Sequence, residues 1–107
     1  MLVPFKKLKE NSGSSTVLAG DVGATKTNLA LVKFDGDNMI VLKETKYKSS
    51  DYKNIIELAD NFVRGIPLPD FICFGVAGPV LDGNARLSNI NWDINQTKLS
   101  DHFSVKN

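Results

Sequence analysis

The chain has 107 residues, with 13 Lys and Arg against 12 Asp and Glu and a formal net charge of +1. That length corresponds to one domain at most, too short for a two-domain enzyme with a closing cleft, and the composition, 42% apolar and 23% charged, is that of an ordinary globular domain. A net charge so close to zero creates no long-range field for nucleic acid or for an anionic membrane, so we expect neither as a partner.

Cysteine usage and hydropathy indicate where the protein works. Cys73 is the only cysteine and lies in an apolar run, so no internal disulfide can form and we expect a buried thiol in a reducing compartment. No apolar run approaches the roughly 18 residues of a membrane span. The stretch Leu2-Val3-Pro4-Phe5 is too short for a secretory signal and is broken by proline. These features favour a cytoplasmic protein.

The first half of the chain predicts a tail and three strands. Residues 1–15 are charged and then rich in Ser and Gly, which is typical of a flexible tail. From residue 16 an N-terminal part of a small domain begins, with a short buried strand at Val17–Ala19 and a Gly-containing loop at Gly20–Thr25. A second strand is predicted at Leu29–Phe34. A third, Met39–Lys48, alternates in polarity and should lie near a sheet edge.

The period then changes from that of a strand to that of a helix. Apolar residues at positions 55, 58, 59, 62 and 63 form the stripe of an amphipathic helix. Ser49-Ser50-Asp51 offers its N-cap, and Gly65 and Pro67 end it. The continuous apolar run Phe71–Ala77 predicts a central strand. A mixed sheet that starts β-β-β-α-β belongs to the α/β class.

Two shorter elements follow. Val80-Leu81 and Ala85-Arg86-Leu87 flank Asp82-Gly83-Asn84, which indicates a β-hairpin. Asn95–Phe103 predicts a short helix with two apolar residues four positions apart. The fold is then incomplete at the C-terminus, because the sequence reaches residue 107 where another strand could begin.

The stretch from Leu18 to Thr27 contains the most informative pattern, for which two phosphate-binding interpretations compete. Gly20–Thr27 fits the P-loop pattern G-x-x-x-x-G-K-[ST], except that Thr25 replaces the second glycine. A P-loop is followed by a helix, whereas the sequence after Thr27 predicts a strand. Asp21 would also place a carboxylate inside the anion nest, where it repels phosphate. Both observations argue against a P-loop.

The alternative is a β-hairpin whose turn approaches the phosphates of a nucleotide. Gly20 and Gly23 would permit positive φ and close backbone approach, and the hydroxyls of Thr25 and Thr27 could donate hydrogen bonds to phosphate. Asp21, at the strand end, could hold a hydrated Mg²⁺. For Lys26, contact with phosphate and simple solvation are equally good interpretations. From this stretch alone, an ordinary glycine-rich turn also stays open.

A second motif narrows these alternatives. It consists of Gly75-Val76-Ala77-Gly78-Pro79-Val80, a glycine at position 83, and Leu87-Ser88-Asn89-Ile90-Asn91-Trp92-Asp93-Ile94. This order closely resembles the bacterial glucokinase family, with its pattern G-x-A-G-P-[IV], a glycine, and [LM]-[ST]-N-x-x-W-x-[IF]. The upstream loop resembles the family's first phosphate motif, G-D-[IV]-G-G-T-[NK], and the likeness runs from about Val17 to the end of the chain.

The resemblance implies a ribonuclease-H-like (actin-like ATPase) fold that uses ATP and Mg²⁺ to phosphorylate D-glucose, and a homodimer at full length. The implied cofactor-binding residues are Gly20, Asp21, Val22, Gly23, Ala24, Thr25 and Lys26, with Asp21 on the metal side. Asn89 falls in the segment leading to the sugar, where it could orient a loop or contact the sugar. Trp92 is better interpreted as a buried anchor of the following helix, and Gly75 and Gly78 as positions of close backbone packing.

The sequence departs from the family pattern in two respects. Ala24 stands where the family prefers glycine, which would cost about 1 kcal/mol if that position requires positive φ. The family's catalytic base, the aspartate of an Asn-Asp pair, is expected about half a dozen residues beyond Asn107, so no catalytic residue is assigned within this chain. We therefore predict the N-terminal segment of an ATP-dependent glucokinase, inactive by itself. The alternative is a non-catalytic sugar- or nucleotide-binding regulator or scaffold of the sugar-kinase superfamily.

Overall fold

A computed structural model describes residues 14–104, which begin with a four-stranded mixed sheet. Its strands are β1 (Ser14–Val22), β2 (Lys26–Asp35), β3 (Asn38–Lys48) and β4 (Phe71–Val76), in the spatial order β3-β2-β1-β4. β1 pairs antiparallel with β2 and parallel with β4, and β2 pairs antiparallel with β3. One α-helix, at Ile55–Val63, lies between β3 and β4 in the chain. The α/β class, the order β-β-β-α-β and the edge position of β3 are thereby confirmed.

Helix α1 spans Ile55–Val63 and buries the five apolar residues of the predicted stripe. Its N-cap is Asn54, whose side-chain oxygen accepts a hydrogen bond from the backbone N–H of Glu57 at 2.8 Å. The predicted cap was wrong, because Ser49–Asp51 instead forms a separate turn of 3₁₀ helix and the Ser49 hydroxyl bonds elsewhere. After the helix, Gly65 adopts φ +78°, as the predicted stop requires.

A second, three-stranded antiparallel sheet follows, formed by β5 (Val80–Leu81), β6 (Asn84–Leu87) and β7 (Trp92–Asn95). Helix α2 (Gln96–Phe103) comes directly after β7. The predicted hairpin and final helix are confirmed, whereas β7 was not foreseen. It has four residues, too few for its alternation to stand out from the sequence.

Both sheets and both helices contribute buried apolar side chains to one cluster. The largest fully buried side chains of this cluster are those of Trp92, Phe62 and Phe74, one from the second sheet, one from α1 and one from β4. On the surface, Nε2 of His102 lies 2.8 Å from Oδ1 of Asp60, joining α2 to α1. The two sheets therefore form one unit around a shared core. Neither helix in the described range is long and apolar enough to cross a membrane.

Three expectations need correction. β1 begins at Ser14 and buries Ser15, so the predicted tail boundary at residue 15 is too late, and residues 1–13 lie outside the described range. Within residues 14–104, β4 is the outer strand of its sheet rather than a central one. For this reason Cys73, in β4, is half-buried rather than a core thiol. Apolar composition indicated a buried strand but not how many neighbours it would have.

Candidate functional site

The β1–β2 hairpin is tighter than the sequence suggested. β1 continues to Val22 and β2 begins at Lys26, so only three residues lie between the strands. The turn is closed by a 3.1 Å hydrogen bond from the N–H of Gly23 to the carbonyl of Lys26. Gly20, Asp21 and Val22, predicted as loop residues, belong to β1. Because a strand rather than a helix follows, the P-loop interpretation is wrong.

The glycines of this hairpin serve close packing rather than unusual backbone angles. Neither Gly20 nor Gly23 has positive φ, so that part of the prediction was wrong. A Cβ on Gly20 would lie 2.6 Å from Cδ1 of Phe74, and one on Gly23 would lie 2.9 Å from the carbonyl oxygen of Lys26. Ala24 also lacks positive φ, so its replacement of the family's glycine carries no backbone strain.

A buried hydroxyl pair holds the turn from beneath. The Ser49 hydroxyl donates a hydrogen bond to the carbonyl of Gly23 at 2.6 Å, and the Ser49 N–H donates to the carbonyl of Thr25 at 3.0 Å. The Thr27 hydroxyl lies 2.8 Å from that of Ser49 and is the donor there, since Ser49 has already committed its only proton. Thr27 is fully buried, so its predicted contact with phosphate was wrong.

The turn also contains backbone donors without a partner in the described structure. Two of its carbonyls, those of Gly23 and Thr25, are occupied by Ser49. The backbone N–H groups of Ala24 and Thr25 donate to no partner within residues 14–104. Thr25 and Lys26 are exposed beside them. The turn thus combines two unpartnered amide groups with an exposed threonine and an exposed lysine, a combination that binds anions.

Asp21 lies beside the turn, in the middle of a row that crosses three strands. Its Cα is paired with that of Asn28 on β2 and with that of Gly75 on β4. Asp21 is exposed, and a Cβ on Gly75 would meet only one atom within 4 Å, the Gly20 oxygen at 3.9 Å. A glycine that packing does not require leaves room next to the carboxylate.

The remaining predicted residues divide between core and surface. Val22 is fully buried, so its side chain packs rather than binds, while its carbonyl accepts a hydrogen bond from the N–H of Ala77 at 3.0 Å. Asn89 is exposed in the β6–β7 turn, in the second sheet rather than on the hairpin with Asp21. Trp92 is 2% exposed, which confirms a buried anchor, although it lies in a strand. Gly78 makes only ordinary contact, its Cβ position being 3.5 Å from the Arg86 oxygen.

Sequence reasoning missed Ser49 and Asn28. Ser49 stands at the end of β3, where it was interpreted as a helix cap. Asn28 lies in β2, directly before the apolar run at residues 29–32. Strands are depleted in asparagine, and that was the available signal. Its Oδ1 atom is buried and has no hydrogen-bond partner in the described structure. No group of three or more His, Cys, Asp or Glu in residues 14–104 is placed to hold a metal.

Comparison with known proteins identifies the family and the fold. Residues 18–107 match the glucokinase family. The chain is 30% identical over 92 residues to a glucokinase of Nostoc punctiforme and 32% identical over 91 residues to one of Caulobacter vibrioides, in each case over 83% of its length. A crystal structure of a glucokinase from an Antarctic psychrotroph superposes with a TM-score of 0.76 over 84% of this chain, at 24% identity.

These relatives are considerably longer than the chain. It spans 27% of the Nostoc protein, 28% of the Caulobacter protein and 30% of the crystallised glucokinase. The structural likeness, at its low identity, supports the mixed-sheet fold, and the sequence match covers most of the residues that build it. The chain belongs to the glucokinase family.

Proposed function

We propose that this chain is the N-terminal segment of a cytoplasmic, homodimeric, ATP-dependent glucokinase with a ribonuclease-H-like (actin-like ATPase) fold. The proposed reaction transfers the γ-phosphoryl group of ATP to the 6-hydroxyl of D-glucose. Membership of the glucokinase family and the names of the relatives support the substrate class. The β1–β2 hairpin supports the role assigned to this segment, which is to hold the phosphates.

One observation carries the proposal: which backbone groups of the turn have hydrogen-bond partners and which do not. Ser49 donates hydrogen bonds to the carbonyl oxygens of Gly23 and Thr25, and free carbonyl oxygens would repel a phosphate. The backbone N–H groups of Ala24 and Thr25 have no partner in the described structure. Such a set of amide dipoles stabilises the charge that spreads over the oxygens of a transferring phosphoryl group. The exposed ammonium group of Lys26 adds a positive charge at the same place.

The residues beside the turn suit Mg²⁺, which prefers oxygen ligands and is often held by one or two carboxylates. Asp21 supplies one exposed carboxylate, and the open space at Gly75 lies next to it. The side-chain oxygen Oδ1 of Asn28, which has no hydrogen-bond partner in the described structure, is a further oxygen on the neighbouring strand. The cation, when bound, would neutralise phosphate charge, and Asp21 would fix its position relative to the turn.

The proposed reaction also requires a catalytic base and the exclusion of water. Removing the proton from the sugar hydroxyl takes a carboxylate within hydrogen-bond reach, which we assign to the aspartate expected shortly after Asn107. Closure of a second domain would exclude water. We therefore expect residues 1–107 alone to bind phosphate without catalysing phosphoryl transfer. We place Asn89 in the segment that leads to the sugar.

The test compares the chain continued to the full length of its relatives with its Asp21→Ala variant, in an assay coupled to glucose 6-phosphate formation. We expect glucose-dependent activity that falls at least about 100-fold in the variant, the scale for losing one electrostatic contact to the transition state. Asp35→Ala, an exposed carboxylate at the other end of β2, is the matched control and should retain activity. A folded protein that phosphorylates no hexose would instead support a non-catalytic binding member of the superfamily.

A further inference from the structure

Asn28 carries a polar atom that the rest of the described chain leaves unsatisfied. Its Oδ1 is buried, and no hydrogen-bond donor within residues 14–104 reaches it. Leaving a buried carbonyl without a donor is costly, because the group has lost its hydrogen bonds to water and gained none in return. A water or ion that binds at this position would supply the donor that the described residues do not.

The strand register shows what lies next to this atom. Asn28 and Asp21 are direct partners in the antiparallel pair of β1 and β2, so their side chains leave the same face of the sheet, with Cβ atoms about 5 Å apart. This is the face opposite to the one on which Leu18 and Val22 enter the core shared with α1. Gly75 adjoins Asp21 on the same row, and the described structure leaves room above it.

The exposed carboxylate of Asp21 therefore lies beside the amide oxygen of Asn28, which lacks a hydrogen-bond donor. Both residues are close to the turn whose backbone N–H groups have no partner. A hydrated divalent cation satisfies both groups. The carboxylate attracts its charge, and its bound waters are strong hydrogen-bond donors because the cation polarises them. Mg²⁺ suits this arrangement since it gives up its waters reluctantly.

We propose that Asn28 is a positioning residue of the cation site, its Oδ1 accepting a hydrogen bond from a water bound to the cation that Asp21 holds. This inference rests on the proposed function, because it assumes the cation beside the hairpin. Asn28 would fix the orientation of the hydrated ion beside Asp21. Groups in this outer position typically contribute 10- to 100-fold to metal affinity.

The test uses Mn²⁺ as the probe, in the presence of ADP, on the protein continued to the full length of its relatives. Free Mn²⁺ is measured by electron paramagnetic resonance, and unfolding is measured separately in EDTA. Asn28→Leu keeps the branching of the side chain and removes the acceptor. We expect it to weaken Mn²⁺ binding about 10-fold while leaving the protein in EDTA at least as stable, because the orphaned oxygen is gone.

Asn28→Asp separates this role from a merely structural one. It retains an oxygen acceptor and adds negative charge beside Asp21, so it should bind Mn²⁺ at least as tightly as the unmodified protein but unfold more easily in EDTA. Asn38→Leu, which makes the same change at an exposed strand position remote in register from Asp21, is the matched control and should leave Mn²⁺ affinity unchanged.

Unaltered Mn²⁺ affinity in Asn28→Leu, with affinity lost in Asp21→Ala, would overturn the role of Asn28 and leave the proposed function standing. If Asn28→Leu does not fold, weaker Mn²⁺ binding by Asn28→Asp overturns it equally. A different result would count against the proposed function itself: a protein whose Mn²⁺ binding in the presence of ADP is the same with and without Asp21.

Discussion

The hydroxyl of Ser49 donates a 2.6 Å hydrogen bond to the carbonyl of Gly23, which ties the end of β3 to the turn between β1 and β2. The two residues are 26 positions apart, and Ser49 is fully buried. The bond turns a carbonyl away from the solvent side of the hairpin, where a phosphate would meet it. A buried residue outside the hairpin thus decides which carbonyl groups of the turn are left without a partner.

Replacing Ser49 by Ala should lower the free energy of unfolding by about 1–3 kcal/mol, because the Gly23 carbonyl and the Thr27 hydroxyl lose a buried partner. Chemical denaturation measures this change. Ser50→Ala, at the exposed neighbouring position, provides the control and should remain within about 0.5 kcal/mol of the unmodified protein. Equal effects of the two substitutions would contradict the importance of the Ser49–Gly23 bond.

Two glycines in neighbouring strands should respond oppositely to alanine. A Cβ at Gly20 would lie 2.6 Å from a ring carbon of Phe74 and 2.8 Å from Cδ2 of Leu29, both side chains being fully buried, so overpacking should cost about 1–3 kcal/mol. A Cβ at Gly75 would have no neighbouring atom closer than 3.9 Å. Gly75→Ala should therefore leave the free energy of unfolding unchanged or raise it by up to about 1 kcal/mol.

Thermal unfolding of the two variants side by side measures this difference. If the cation site lies above Gly75, Gly75→Ala should also weaken nucleotide binding in the full-length protein while its stability holds. Similar stability changes for Gly20→Ala and Gly75→Ala would show that the close approach at Gly20 relaxes without cost.

Tyr47 should make the protein sensitive to alkaline pH. Burial raises the pKa of its phenol above 10.0, with a smaller contribution from Tyr52, whose ring centroid lies 5.5 Å away. Below pH 10 both the folded and unfolded states keep the proton. As pH rises further, the unfolded state loses it first, so the free energy of unfolding decreases until the folded pKa is passed.

Tyr47→Phe retains the ring and removes this titration. The variant should therefore lose less stability than the unmodified protein between about pH 9 and about pH 11, whatever its stability at pH 7. Urea unfolding at the two pH values checks the expectation. The same decrease in both proteins would mean that Tyr47 titrates alike when folded and unfolded.

The first half of β3 should promote self-association of the chain. Met39, Ile40, Val41 and Leu42 are 46–64% exposed, and β3 has no strand partner on its outer side within residues 14–104. Exposed apolar edge strands pair readily with other chains, and a charged residue at the edge opposes this. Ile40→Lys should therefore reduce the weight-average mass at high protein concentration without lowering the melting temperature.

Analytical ultracentrifugation over a range of concentrations measures this effect. Leu68→Lys is the control, since Leu68 is equally exposed, at 53%, but lies outside the strands and helices. An equal decrease in mass with Leu68→Lys would indicate a general effect of added charge rather than association through β3.

Much of the fold could be predicted from local patterns. The apolar stripe from Ile55 to Val63 defined a helix, because only one face of that segment can be buried, and the polar alternation of β3 indicated an edge strand. The order β-β-β-α-β followed from these periods. The strand β7 was not predicted, since its four residues are too few to show a clear alternation of polarity. The strand β4 was predicted to be central, because apolar composition does not show how many strands pair with it.

The candidate site was predicted in part. The sequence identified the stretch around Gly20 and Asp21 as a candidate. Its two motifs resemble those of the glucokinase family, which the family match confirms. It assigned Thr27 to phosphate, however, and the helix cap to Ser49, whereas the structure buries both against the turn. Hydroxyls serve either purpose, and only the surrounding contacts decide which.

The sequence by itself determined the secondary-structure periods, the position of the turn and the family, because each depends on residues close together in the chain or on their order. The tertiary structure decided which backbone groups of the turn are free, why Gly20 must be glycine, and which residues stand beside Asp21. Those properties arise from pairings between distant segments, Gly23 with Ser49 and Asp21 with Gly75, that form only when the strands come together.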